Sequence, residues 1–101
     1  MKIVYRPAAI NDINSTSDYL KNELKNPQAA QRLKEHILHT ISLLKDNPEI
    51  GPLLSSKYDT VENNYRYIIV NKQIVFYEIN DNTIEIIRVL DGRTDYLVHL
   101  I

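Results

Sequence analysis

The chain has no cysteine and no tryptophan, and only two glycines and one methionine among 101 residues. Without cysteine there is no disulfide framework, no thiolate zinc site and no cysteine nucleophile. Glycine occurs only at Gly51 and Gly92, so no glycine-rich loop exists to cradle a phosphate, which argues against a nucleotide-binding fold. Repeats and low-complexity stretches are missing. No apolar run approaches the roughly 18 residues of a membrane-spanning helix. Met1 runs directly into a charged, strand-like segment, so no signal peptide is expected and the chain reads as soluble and cytoplasmic. An excess of one charge is also lacking: 12 basic and 13 acidic residues leave a net charge of −1. Residues 51–101 hold five Lys and Arg against seven Asp and Glu. A protein that grips a polyanion by bulk electrostatics does not look like this, although a local basic pocket remains allowed.

What is present fits one domain, residues 1–101, long enough to bury a real core. The hydrophobic fraction of 44% and charged fraction of 25% are ordinary for a globular chain. Seven tyrosines against one phenylalanine are less ordinary. Tyrosine suits surfaces that are partly buried and partly wet, partner interfaces among them.

Lys2 to Tyr5 read as a short strand. Pro7 then stands at a first helical position, where its missing N–H costs nothing. Ile10, Ile13, Ser17, Leu20 and Leu24 step by three or four residues and predict the apolar face of a helix. Asn26 followed by Pro27 is a second helix start, and Ala30, Leu33, Ile37, Ile41 and Leu44 form the next stripe. Asn47-Pro48 ends it. Helices joined so tightly form an antiparallel hairpin. Gly51 to Asn64 is a connection without a clear period. Tyr65–Val70, Ile74–Ile79 and Thr83–Leu90 then read as strands, rich in β-branched and aromatic residues. The turns at Asn71-Lys72 and Asn80-Asp81-Asn82 predict a three-stranded antiparallel meander. The expected class is α+β, in the order β-α-α-β-β-β. The helical hairpin packs on one face of a small, mainly antiparallel sheet, and residues 91–101 form a C-terminal tail.

Two-residue loops at Asn71-Lys72 and Asp81-Asn82 would set the register. Val70 then opposes Gln73, Ile68 opposes Val75 and Arg66 opposes Tyr77; Ile79 opposes Ile84, Tyr77 opposes Ile86 and Val75 opposes Arg88. Cross-strand partners share a face, so Arg66, Tyr77 and Arg88 are expected on one face, away from the helices. A slip of one residue would flip a strand and break the grouping.

Three constellations can carry chemistry. Two arginine forks on one face can hold a phosphodiester and stabilise its more anionic transition state. Equally, each arginine can pair with a nearby acid such as Glu62 or Asp91 at a sheet rim. In the tail, Tyr96 and His99 are three apart, and one helical turn would set them side by side for proton transfer or base stacking. The stronger reading there is that Tyr96, Leu97 and Leu100 pin the terminus to the core. His36 and His39 have metal-ligand spacing but no obvious carboxylate partner, and read as solvated helix residues. No metal and no cofactor is expected.

The element order and residues together resemble the RelE/ParE superfamily of toxins from bacterial type II toxin–antitoxin modules. The resemblance runs through Tyr5-Arg6-Pro7-Ala8-Ala9 with Asp12-Ile13, the paired helices, Asn47-Pro48-Glu49-Ile50-Gly51, Tyr65-Arg66-Tyr67, and Ile87-Arg88-Val89-Leu90-Asp91-Gly92-Arg93-Thr94-Asp95-Tyr96. The last segment looks most like the ParE branch. The resemblance implies a growth-inhibiting toxin of a plasmid-stabilisation type, neutralised by a cognate antitoxin protein. ParE-like members poison DNA gyrase and are not nucleases. RelE-like members act as mRNA interferases, cutting mRNA on the ribosome. In that case the resemblance implies catalytic roles for Arg66 and Arg88, which match the family's strand arginines, with Tyr96 or His99 standing in for its C-terminal aromatic or histidine. Lys57 is the sole lysine of the connection before the second strand of the chain, where those nucleases often carry several or another general base, and Glu62 is a possible acid there. The near-neutral charge and the tail favour the ParE-like reading. An inactive antitoxin-binding module is a further alternative.

Overall fold

A computed structural model describes residues 1–100; Ile101, the end of the expected tail, lies outside the described residues. Strand β1 (Lys2–Tyr5) leads through Arg6 into helix α1 (Pro7–Asp18), which starts at Pro7 as expected. A π-helical turn, Tyr19–Glu23, continues α1. Lys25, with φ of 51°, reverses the chain into helix α2 (Pro27–Ser42). The side chain of Asn26 caps α2 by accepting from the Ala29 N–H at 3.1 Å. Strands β2 (Arg66–Val70), β3 (Gln73–Asn80) and β4 (Thr83–Asp91) follow. Asn71 and Asp81 open the two tight loops with φ of 56° and 51°, a conformation their short polar side chains tolerate.

The sheet has the order β1-β4-β3-β2, with β1 parallel to β4 and the other pairs antiparallel. The helical hairpin covers one face. Ala9 and Ile13 from α1 and Ile37 and Ile41 from α2 meet Val75, Tyr77, Ile84, Ile86 and Val89. The stripe expected on α2 is the one buried, with Leu33 at its margin. On the first helix the expected face is rotated. Ile10 is 46% exposed and Leu24 55% exposed, while Ala9 is sealed beside Ile13. Ala9 is small enough to let the helix lie close on β4, so the Ala9–Ile13 line sets the contact. The π turn then changes the angular step before Leu24 is reached.

The face away from the helices is also covered. A 3₁₀ turn at Leu54–Ser56 and a second at Tyr96–His99 lie on it. Leu54, Tyr96 and Leu100 pack there against Ile74, Phe76 and Ile87. The connection without a period is thus a structural layer, and the tail is its companion. Tyr96, Leu97 and Leu100 pin the tail, as the stronger reading expected.

The register of β2 on β3 is the expected one, including Arg66 opposite Tyr77. From β3 to β4 it holds at Ile79 with Ile84 and Tyr77 with Ile86, then shifts. Arg88 falls opposite Phe76, not Val75, because β4 carries one extra residue at a β-bulge. The bulge sends Ile87 to the far face while Ile86 and Val89 both stay on the helical face.

Tyr77 fixes the chain after α2. Its hydroxyl donates to the Pro48 carbonyl at 2.7 Å and accepts from the Gly51 N–H at 2.9 Å. Gly51 itself is required there, since a Cβ would stand 2.7 Å from that hydroxyl and against the Tyr67 carbonyl. Tyr77→Phe leaves the buried Gly51 N–H and the half-buried Pro48 carbonyl without this partner, and urea unfolding is expected to show a loss of about 1–3 kcal/mol. Burial also holds the phenol above its ordinary value. The folded state keeps a proton that the unfolded chain releases, so this contribution is intact at neutral pH and falls as pH rises past about 10. Alkaline destabilisation is expected to be shallower in Tyr77→Phe than in the parent.

Candidate functional site

Arg88 leaves β4 at the bulge and turns to the helices. Its Nε donates to Asp12 Oδ2 at 2.7 Å and its Nη2 to Oδ1 at 2.8 Å. This two-pronged geometry is the strong form of an arginine–carboxylate pair. The same Asp12 oxygen accepts from the Val89 N–H at 2.9 Å. Val89 lies on β4 beyond Ile86, the last residue to pair with β1, so its N–H needs an acceptor from elsewhere. Asp12 and Arg88 are 12% and 24% exposed along their side chains, and the bond to Asp12 holds the guanidinium further above its ordinary value. The acid facing Arg88 is therefore Asp12. Neither expected candidate meets Arg88: Asp91 accepts from Arg93 through both carboxylate oxygens, and Glu62 is exposed and makes no ion pair among the described residues.

Arg66 is tied to a different place. Its Nη1 donates to the Gly51 carbonyl at 2.8 Å, beside the Tyr77 hydroxyl. Both guanidinium groups thus bond to the helix hairpin or its exit, not to the free face where they were expected. They are also on separate strands, with β3 between them. Arg88 is consumed by α1, whereas the remaining nitrogens of Arg66 have no partner among the described residues.

Tyr96 is buried on the far face. Its hydroxyl lies 2.6 Å from that of Tyr58, and its ring stacks at a tilt on Phe76 with centroids 5.3 Å apart. Lys57 sits above this cluster, with Nζ 5.5 Å from the Tyr58 ring and 5.7 Å from the Tyr67 ring. Burial, and then the bond to Tyr58, hold the Tyr96 phenol above its ordinary value. The ionised form of Tyr96 is also the main influence holding the Lys57 ammonium above its own. His99 is exposed at the end of the same 3₁₀ turn and is not joined to Tyr96. His36 and His39 are exposed on α2. Among the described residues no group of three or more His, Asp or Glu is placed to hold a metal ion.

The four residues singled out in the sequence therefore stand in four separate settings. Sequence reasoning missed Asp12 as the partner of Arg88, and Tyr58 and Tyr67 as the partners of Tyr96 and Lys57. One signal for the first was present. The helix-facing apolar positions of β4 run Ile84, Ile86, Val89, and the step of three in a period of two marks a bulge. Chemically, the arrangement offers braced backbone and an aromatic–cationic surface. It does not offer two free forks around one phosphate.

The family model described as ParE toxin of type II toxin–antitoxin system, parDE, matches residues 3–96. Among solved structures the chain is similar to one titled "Chromosomal ParDE TA system from P. aeruginosa", at 15% identity and a TM-score of 0.75. That alignment covers 90% of this chain and 95% of the other, and it shows a shared fold. No curated protein sequence matches.

Asp12→Ala strands a part-buried guanidinium and the Val89 N–H together. Chemical denaturation is expected to show a loss of about 3 kcal/mol, the low end for breaking a buried pair. Asp12→Asn keeps an acceptor for Val89 and is expected to lose less.

Proposed function

The chain belongs to the ParE toxin family of type II toxin–antitoxin systems, and from that premise we propose that it arrests bacterial growth by inhibiting DNA gyrase and is neutralised by a cognate antitoxin. The observation that carries the choice of target is the Arg88–Asp12 pair. A nuclease of the RelE type needs cationic groups free to meet the scissile phosphate and its developing charge. Here a phosphate at Arg88 would have to displace a carboxylate that also holds α1 to β4. Arg66 points to the Gly51 carbonyl, Tyr96 is packed under Tyr58, and His99 stands apart. The formal charge of −1 agrees with a protein partner more than with a ribosomal one. In this reading Arg66 and Arg88 are struts, and the activity is binding rather than catalysis.

Regulated expression in a bacterial host tests this. The expected result is growth arrest with filamentation, a DNA-damage response and gyrase-linked DNA breaks, while translated messages stay intact. Rapid cleavage of translated messages would instead install the mRNA interferase, with Arg66, Arg88, Tyr96 and His99 as its catalytic set. No arrest at all would point to an inactive antitoxin-binding module. The double variant Asp12→Asn with Arg88→Met removes the guanidinium yet keeps an acceptor for Val89, an exchange a fold often tolerates. It is expected to retain arrest within about threefold of the parent at matched expression. Complete loss in a variant that circular dichroism shows folded would contradict a purely structural Arg88.

A further inference from the structure

The face of the sheet away from the helices carries a patch that the fold does not use up. Lys57 and Tyr58 follow the Leu54–Ser56 turn, Tyr67 comes from β2 and Tyr96 from the tail, and they gather beside Phe76. A cavity of about 660 Å³ under the π turn, lined by Leu20, Leu24 and Gln73, opens on the helical side and is separate from this patch. Three features distinguish the patch from ordinary surface. Lys57 is exposed and makes no ion pair among the described residues. The groups that act on its ammonium are the phenols of Tyr96, Tyr58 and Tyr67, and none is a carboxylate. Next, the Tyr58 and Tyr96 hydroxyls share one bond but carry two protons. Whichever hydroxyl donates, the proton of the other has no acceptor among the described residues. Finally, the surroundings are apolar: Val98, on the tail turn, is 58% exposed, and the Tyr58 and Tyr67 rings are half-buried. An ammonium over two rings, beside a spare O–H, selects a single anionic oxygen with an apolar neighbour. A continuous polyanion is disfavoured, because Asp59, Glu62 and Asp95 stand exposed on the same two segments. The occupant that fits is a protein segment with one acid next to an apolar side chain.

We propose that this patch is the surface through which the chain meets gyrase, and that the gyrase segment it takes presents a carboxylate beside a large apolar side chain. The carboxylate bridges the Lys57 ammonium and the spare phenolic proton. The apolar group lies against the tyrosine rings. The partner's identity rests on the gyrase reading; its chemistry rests on the patch. The apolar groove of about 360 Å³ beside Leu43, Ile50 and Ile69 has no charged lining to select an occupant.

The test titrates gyrase supercoiling with the purified chain, and measures binding of the chain to DNA-free gyrase and to duplex DNA alone. Lys57→Glu and Val98→Asp alter exposed side chains, and circular dichroism checks that each variant is folded. Each is expected to raise the half-inhibitory concentration about tenfold or more and to weaken binding to DNA-free gyrase to match. Lys57→Arg keeps the charge and is expected to inhibit like the parent, as is the control Lys45→Glu at the end of α2. Inhibition within about twofold of the parent in both Lys57→Glu and Val98→Asp overturns the patch and leaves the gyrase reading standing. Binding lost from duplex DNA but kept on DNA-free gyrase would assign the patch to nucleic acid and overturn the protein partner. A parent chain that leaves gyrase fully active overturns the gyrase reading, and the proposal falls with it.

Discussion

One carboxylate holds the architecture in register. Asp12 accepts two bonds from Arg88 and a third from the Val89 N–H, and so joins the middle of α1 to β4 just past the end of β1. The β-bulge shapes this joint: the extra residue puts Val89, not Arg88, opposite Val75 in the helix-side core, and Arg88 at the bulge reaches Asp12 from beside it. A charged pair in this position adds little net stability against an apolar pair of the same size. Its effect is on geometry. It fixes where the helical hairpin lies along the sheet, and therefore where the cavity under the π turn opens.

A second constraint is that both faces of a four-stranded sheet must be covered by only 101 residues. The hairpin covers one face. The other is left to the aperiodic connection and the tail, which hold each other through the Tyr58–Tyr96 hydroxyl contact over Phe76. The tyrosine-rich composition finds its reason here and at Tyr77. Each of these rings is apolar enough to pack and carries a hydroxyl that ties down a segment with no regular hydrogen bonding of its own.

These constraints bear on function by subtraction. The residues that look most chemical in the sequence are largely engaged in holding the fold, which shifts attention to surface that is not. The π turn leaves leucine and tyrosine exposed, and the hairpin loop at Asn71-Lys72 places beside them an ammonium that makes no ion pair among the described residues.

The sequence by itself determined the order of elements, both helix starts at Pro7 and Asn26-Pro27, the buried stripe of α2 and the pairing of β2 with β3. All of these follow from local physics: proline geometry, capping, the 3.6-residue period and tight-turn chemistry act within a few residues. Tertiary structure alone decided the closeness of Ala9 to the sheet, the layer formed by the connection and the partners of Arg66, Arg88 and Tyr96. Asp12 and Arg88 lie 76 positions apart, and Tyr58 and Tyr96 lie 38 apart. Contacts at that separation leave no period in the chain. Which face of the sheet the hairpin covers is a matter of such distant contacts, and it decides that Arg66 and Arg88 meet Gly51 and Asp12 and not open solvent.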